Sequence, residues 1–114
     1  MKSKLTIIKI GGKIISNNNL LEKYIKKITN FSGNIVLVHG GGNIANEYFK
    51  ENNYSIKIID GRRVTDKKTL EKLVMLYAGL INKNIISKLS SSEKKYIGLS
   101  GIDSKVIILS LIHI

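Results

Sequence analysis

Lys9 sits inside the apolar run Leu5-Thr6-Ile7-Ile8-Lys9-Ile10, two residues ahead of the Gly11-Gly12 pair. A second run, Ile35-Val36-Leu37-Val38-His39, ends in Gly40-Gly41-Gly42. A glycine-rich turn between a strand and a helix leaves backbone N–H groups unpaired at the positive end of a helix dipole, where anionic oxygens bind. Glycine suits such a turn because a side chain would block close approach and because the turn often takes positive φ. Two of these turns, with a cation beside the first, fit a transferring phosphoryl group, whose chemistry is mostly positioning and charge neutralisation. Alternation along the strand sets Lys9 out of register with Ile8 and Ile10. On that feature alone, an edge-strand lysine reaching solvent is the competing reading.

Other nucleotide patterns fit less well. Gly40-x-Gly42-x-x-Ala45 after a strand, with Asp60 further on, matches the loose dinucleotide fingerprint, but it leaves Lys9 and Gly11-Gly12 unused. The P-loop is not present, since Gly12-Lys13 is followed by Ile14. His39, before a glycine turn at the end of a buried strand, reads as a positioning residue rather than a general base. From the residues alone, Arg63 beside Arg62 reads more readily as a solvated surface charge than as a ligand for an anion.

The elements that must position these groups follow from periodicity. The two apolar runs read as strands of a parallel sheet, buried on both faces. Leu20, Leu21, Tyr24, Ile25 and Ile28 recur at helical spacing between them, with Asn19 and Glu22 as a capping box, giving a βαβ unit. Ile44, Ala45, Tyr48 and Phe49 predict a short helix, and Ile56 to Ile59 a short strand ending at the Asp60-Gly61 turn. Asp66 is the predicted cap of the longest helix, with Leu70, Leu73, Val74, Tyr77, Ile81, Ile85 and Leu89 as one stripe. Met75 and Tyr77 are assigned to packing, and Ser90-Ser91-Ser92 ends the helix. Lys95 to Leu99 and Val106 to Ile108 read as further strands. Alternating strands and helices predict an α/β fold, a three-layer αβα arrangement with a mainly parallel sheet and helices on both faces.

Composition narrows the classes. A length of 114 residues admits one domain. The absence of cysteine excludes disulfides, thiolate metal sites and cysteine nucleophiles, and fits a cytoplasmic location. No signal peptide is read, and no apolar run approaches the roughly 20 residues of a membrane span, so no membrane partner is expected. The net charge of +11 raises nucleic acid as a partner, but only Arg62 and Arg63 of the 19 basic residues are arginine, so none is expected.

Five segments together resemble a known family: Ile8-Lys9-Ile10-Gly11-Gly12, Val38-His39-Gly40-Gly41-Gly42, Gly61-Arg62-Arg63-Val64-Thr65-Asp66, Ala78-Gly79-Leu80-Ile81-Asn82-Lys83 and Gly98-Leu99-Ser100-Gly101-Ile102-Asp103. They are similar, in order, to the motifs of the N-acetylglutamate kinases within the wider amino-acid kinase family. The resemblance runs from about residue 5 to 106. It implies an ATP-dependent phosphotransferase acting on the side-chain carboxylate of N-acetyl-L-glutamate, in arginine biosynthesis, with ATP and Mg2+ and in a homodimer. N-succinylglutamate is the alternative acceptor, and a non-catalytic basic binding module the alternative class. The resemblance further implies that Lys9 stabilises the transition state and that Gly11 and Gly12 contact the ATP phosphates. Gly41 and Gly42 would hold the acyl-amino-acid substrate and Arg63 its carboxylate; no resident protein metal site is implied. Family members are more than twice as long, so residues 1–108 are expected to be the N-terminal acylglutamate-binding domain without its ATP-side partner, and inactive alone. Residues 109–114 are expected to be a non-native tail, since Leu109 to Ile114 match the translation of a sequencing-library adapter.

Overall fold

The computed structural model describes residues 4–109. The strands β1 (Leu5–Ile10) and β2 (Asn34–His39) pair in parallel, from Leu5 opposite Asn34 to Ile10 opposite His39. Between them lie the single turn α1 (Gly12–Ile15) and the helix α2 (Asn18–Thr29), which together form the predicted βαβ unit. The cap of α2 is Asn17, whose side chain accepts from the Leu20 amide at 3.0 Å. That is two residues ahead of the predicted Asn19 box, because the first asparagine reached after α1 already has the extended backbone a cap needs.

Leu21, Ile25 and Ile28 of α2 turn inward with Ile10 and Ile15, and Ile8, Ile35 and Leu37 pack against them. Ile81, Ile85 and Leu89 from the long helix complete this core. The other face of the strand pair is bare: Leu5, Ile7, Val36 and Val38 are exposed, Ile7 by 69%. The predicted α/β class with a parallel sheet holds, but the described residues supply the sheet and helices on one face, not both. Apolar side chains on both faces predicted double burial, and only the side facing α1, α2 and the long helix is covered.

After β2 comes α3 (Gly42–Glu51), whose Ala45 and Phe49 pack on Leu76 in a second cluster with Tyr48, Tyr54, Ile56, Leu73 and Tyr77 around it. The predicted strand near Ile59 is β3 (Ile58–Ile59), and it folds back on β4 (Arg62–Arg63) as an antiparallel hairpin. Asp60 (φ 48°) and Gly61 (φ 72°) make the turn with both residues left-handed, the geometry that matches strand twist.

Asp66 caps α4 (Lys67–Val74) as predicted, accepting from the Thr69 amide at 2.7 Å. The helix then widens into a π-helical segment, Met75–Ile81, before resuming as α5 (Asn82–Leu89). In a π turn residues five apart share a face, so Leu76 and Ile81 are both buried, while Leu70 and Val74 of the predicted stripe are exposed. Met75, assigned to packing, is exposed for the same reason. Residues 95 to 99 are extended but have no strand neighbour among the described residues, and a 3-10 turn (Asp103–Lys105) precedes Val106, so neither further strand forms. Of the expected tail only Leu109 lies within the described residues.

Two outcomes test this packing. Leu21→Ala should cost about 2–5 kcal/mol in urea unfolding, against about 0.5 kcal/mol or less for Ile7→Ala; equal losses would show that the bare face is covered in solution. The second concerns acid. The Thr69 amide, then its hydroxyl, holds the Asp66 carboxyl below its ordinary value of 3.8. The ionised cap therefore stabilises the fold fully above that value, and its contribution disappears as pH falls through the lower folded value. Asp66→Asn keeps a capping oxygen without the charge, so its thermal midpoint should fall less than the wild type's between about pH 6 and about pH 2. Parallel curves would contradict the assignment.

Candidate functional site

The ends of β1 and β2 bring the two glycine turns side by side. The Gly40 amide donates to the Ile10 carbonyl at 3.3 Å, and a Cβ on Gly12 would lie 3.7 Å from Cγ of Asn43 in α3. None of the amides of Gly11, Gly12, Gly41 and Gly42 donates to a backbone carbonyl among the described residues. Gly41 caps the ten-residue α3, which begins at Gly42, and its dipole favours negative charge at that end.

Steric space, not backbone conformation, explains the glycine at Gly41. Gly11 (φ −78°) and Gly41 (φ 174°) both have backbone that any residue adopts. A Cβ on Gly41 would collide with Cδ1 of Ile81 and come within 3.2 Å of the Tyr77 ring, whereas one on Gly11 would meet nothing within 4 Å. Gly41 is thus closed by protein, and Gly11 opens outward.

Lys9 is exposed on the bare face of β1, opposite Val38 and out of register with Ile8 and Ile10, as alternation requires. No hydrogen bond or ion pair among the described residues joins it to Arg63 or to either glycine turn; Lys88–Glu22, at 3.1 Å, is the one ion pair among them. Arg63 is not the solvated charge its neighbour Arg62 suggests. Its guanidinium donates to Oδ1 of Asn46 on α3 and lies over the Phe49 ring, 5.5 Å from the centroid. Its Nε is buried with no partner. Asn46 is one turn beyond Gly42, so α3 ties Arg63 to the second glycine turn. An open hollow of about 480 Å³ lies beside it, lined by Ile59, Asp60, Arg62, Arg63 and Val64.

His39 joins the second glycine turn to the long helix. Its Nδ1 lies 2.9 Å from the Gly40 carbonyl, and its Nε2 lies 3.1 Å from Nδ2 of Asn82, which also reaches the Leu99 carbonyl at 3.3 Å. Lys83 donates to the Gly98 carbonyl at 3.1 Å. Beyond it, Asp103 accepts from the Ser100 amide at 2.6 Å and hydroxyl at 2.8 Å, bonds that hold its carboxyl below the ordinary range, with Lys83 a smaller cause. The residues missed by sequence reasoning are Asn43, Asn46 and Asn82. Asn82 had a signal, being a polar residue between Ile81 and Ile85 of an apolar stripe; the other two had none, since α3 asparagines read as solvated.

A parallel strand pair whose C-terminal ends carry two adjacent glycine turns, each followed by a helix, defines an α/β protein. The sequence pattern of the amino acid kinase family matches residues 4–110, and the chain belongs to that family. It is 46% identical over 107 residues to the acetylglutamate kinase of Cytophaga hutchinsonii, 42% to that of Phocaeicola vulgatus and 41% to that of Bacteroides fragilis. Each match covers 94% of the chain, which spans about two fifths of these curated relatives' length (40%, 42% and 41%). Among solved structures, smu.665 from Streptococcus mutans superposes with a TM-score of 0.60 at 32% identity, covering 76% of this chain and 36% of that one. N-acetylglutamate synthase from Neisseria gonorrhoeae, at 21% identity, shares the fold with a TM-score of 0.61 over 78% of this chain and 21% of its own. No helix among the described residues is long and apolar enough to cross a membrane.

The asymmetry between the glycines gives a direct test. Gly41→Ala should destabilise by about 1–3 kcal/mol through overpacking against Ile81 and Tyr77, and Gly11→Ala by about 0.5 kcal/mol or less. Equal midpoints in urea would mean that the long helix does not lie against Gly41.

Proposed function

We propose that this chain is the acceptor-binding and phosphate-cradling part of an acetylglutamate kinase, which transfers the γ-phosphoryl group of ATP to the side-chain carboxylate of N-acetyl-L-glutamate in the cytoplasm. The observation that carries the reading is the pair of adjacent glycine turns with uncommitted amides, one of them opening to free space at Gly11. That opening fits a phosphate, which needs close approach to backbone N–H groups. ATP supplies the phosphoryl group when bound, and Mg2+ travels with its phosphates; no group of three or more His, Cys, Asp or Glu side chains gathers to hold a metal among the described residues.

The acceptor carboxylate is ionised at neutral pH, so no general base is required. One of its oxygens forms a bond to the γ-phosphorus as the bond to the ADP oxygen breaks, giving an acyl phosphate. The chain's residues stabilise and align that exchange. Gly11 and Gly12 donate amides to the ATP phosphates, and Gly41 and Gly42 hold the acyl-amino-acid near them. Lys9 is the point charge that offsets negative charge on the transferring oxygens. Arg63 binds the carboxylate not undergoing transfer; its guanidinium, held by Asn46 and the Phe49 ring beside an open hollow, supports this. A homodimer is part of the same proposal.

The 114-residue chain alone should give no acyl hydroxamate when incubated with ATP, N-acetyl-L-glutamate and hydroxylamine. In a protein of the relatives' full length carrying these residues, Lys9→Ala should lower kcat by about 100- to 1,000-fold. Arg63→Lys should act mainly on the KM for the acceptor, and Gly11→Ala on that for ATP. Running N-succinyl-L-glutamate in parallel fixes the acyl group. Wild-type turnover in Lys9→Ala would sink the assignment.

A further inference from the structure

Asn82 is 7% exposed, between the buried Ile81 and Ile85. A buried amide at such a position costs free energy unless its hydrogen bonds are made. Its neighbours are both acceptors on its Nδ2 side: Nε2 of His39 at 3.1 Å and the Leu99 carbonyl at 3.3 Å. The amide orientation is therefore fixed, because the flipped form would set Oδ1 against the Leu99 carbonyl oxygen. An amide NH2 can only donate, so Nε2 of His39 must carry a lone pair. On the other side of the ring a carbonyl oxygen can only accept, so Nδ1, 2.9 Å from the Gly40 oxygen, must carry the proton. Two independent contacts thus require one neutral tautomer, with Nδ1–H.

We infer that Asn82 and His39 form a positioning relay, running from the segment at Leu99 through the imidazole to the Gly40 carbonyl, that sets the direction of the Gly41 amide. The peptide plane carrying the Gly40 oxygen also carries the Gly41 nitrogen, so a bond that fixes one fixes the other. Gly98 is part of the device. A Cβ there would overlap Oδ1 of Asn82 and lie 2.8 Å from Cγ1 of Ile86, so only glycine lets the chain close over the amide. The relay touches no reacting atom. Its catalytic consequence rests on the proposed kinase reading, whereas its existence does not.

The tautomer is readable from imidazole ¹⁵N shifts in the labelled 114-residue chain, with His113→Gln to assign the two histidines. Wild-type His39 should be neutral with Nδ1–H. Asn82→Asp, which replaces the donor facing Nε2 by an acceptor, should move the proton to Nε2 or protonate both nitrogens, and should shift the Gly41 amide while leaving those of Lys26 and Lys27 in place. Should Asn82→Asp fail to fold, Gly98→Ala displaces the same amide by steric means and should give the same shifts. An Nε2–H tautomer in the wild type, or a His39 ring indifferent to a folded Asn82→Asp or Gly98→Ala variant, overturns the relay. In the full-length enzyme the same variants should lower kcat/KM for N-acetyl-L-glutamate by about 100-fold, the scale of a 1 Å misplacement. Unchanged kcat/KM overturns the positioning role. A wild-type enzyme without phosphoryl transfer counts against the proposed function alone, and the ¹⁵N result still decides the relay.

Discussion

The close approach of the Gly41 backbone to the side chains of Ile81 and Tyr77 is the contact on which the rest of the arrangement depends. Because no Cβ intervenes, the long helix can lie against the end of β2. From there its Leu76 reaches Ala45 and Phe49 of α3, and its Ile81, Ile85 and Leu89 enter the core under the sheet. The π-helical widening belongs to the same constraint. An uninterrupted α-helix would turn Leu76 and Ile81 to different faces, and one of the two clusters would lose its contact. One helix therefore serves two cores, and the glycine turn sits between them.

That geometry explains which parts of the chain were legible in the sequence. The βαβ unit was, because both strands and α2 carry their own periodicity and the glycines mark the turns. The Asp60-Gly61 turn was also legible, but not its return strand, since two residues such as Arg62 and Arg63 cannot show a period. The stripe on the long helix was drawn at constant pitch, and a π segment breaks that pitch without changing composition. Residues 95 to 99 alternate as a strand should, with Tyr96 and Gly98 inward and Ile97 and Leu99 outward. A strand is nevertheless a relation between two segments, and here the carbonyls of Gly98 and Leu99 are met by Lys83 and Asn82 instead of a neighbour's amides.

The site divides along the same line. Lys9 and the glycines announced themselves by type and position, whereas the groups packed around them are asparagines, of which Asn82 alone had a local signature. Asn43 faces Gly12, Asn46 holds Arg63 and Asn82 holds His39. Amides suit these places because they offer hydrogen bonds in fixed directions without adding charge.

The neutrality of those partners bears on the electrostatics. Arg63 is held by an amide oxygen and an aromatic face, neither of which cancels its charge, and Lys9 has no acidic partner among the described residues. The described ion pair, Lys88–Glu22, joins α5 to α2 on the other side of the core. Had a carboxylate of the chain held Arg63, an incoming anion would have had to displace it, and its binding would be weaker by the strength of that bond. A guanidinium anchored through Asn46 and Phe49 is oriented in advance, which under the proposed function leaves little ordering cost for the acceptor carboxylate. With the α3 dipole directed at the same end of the sheet, the positive charge near the glycine turns stays available for a ligand instead of being spent on the fold.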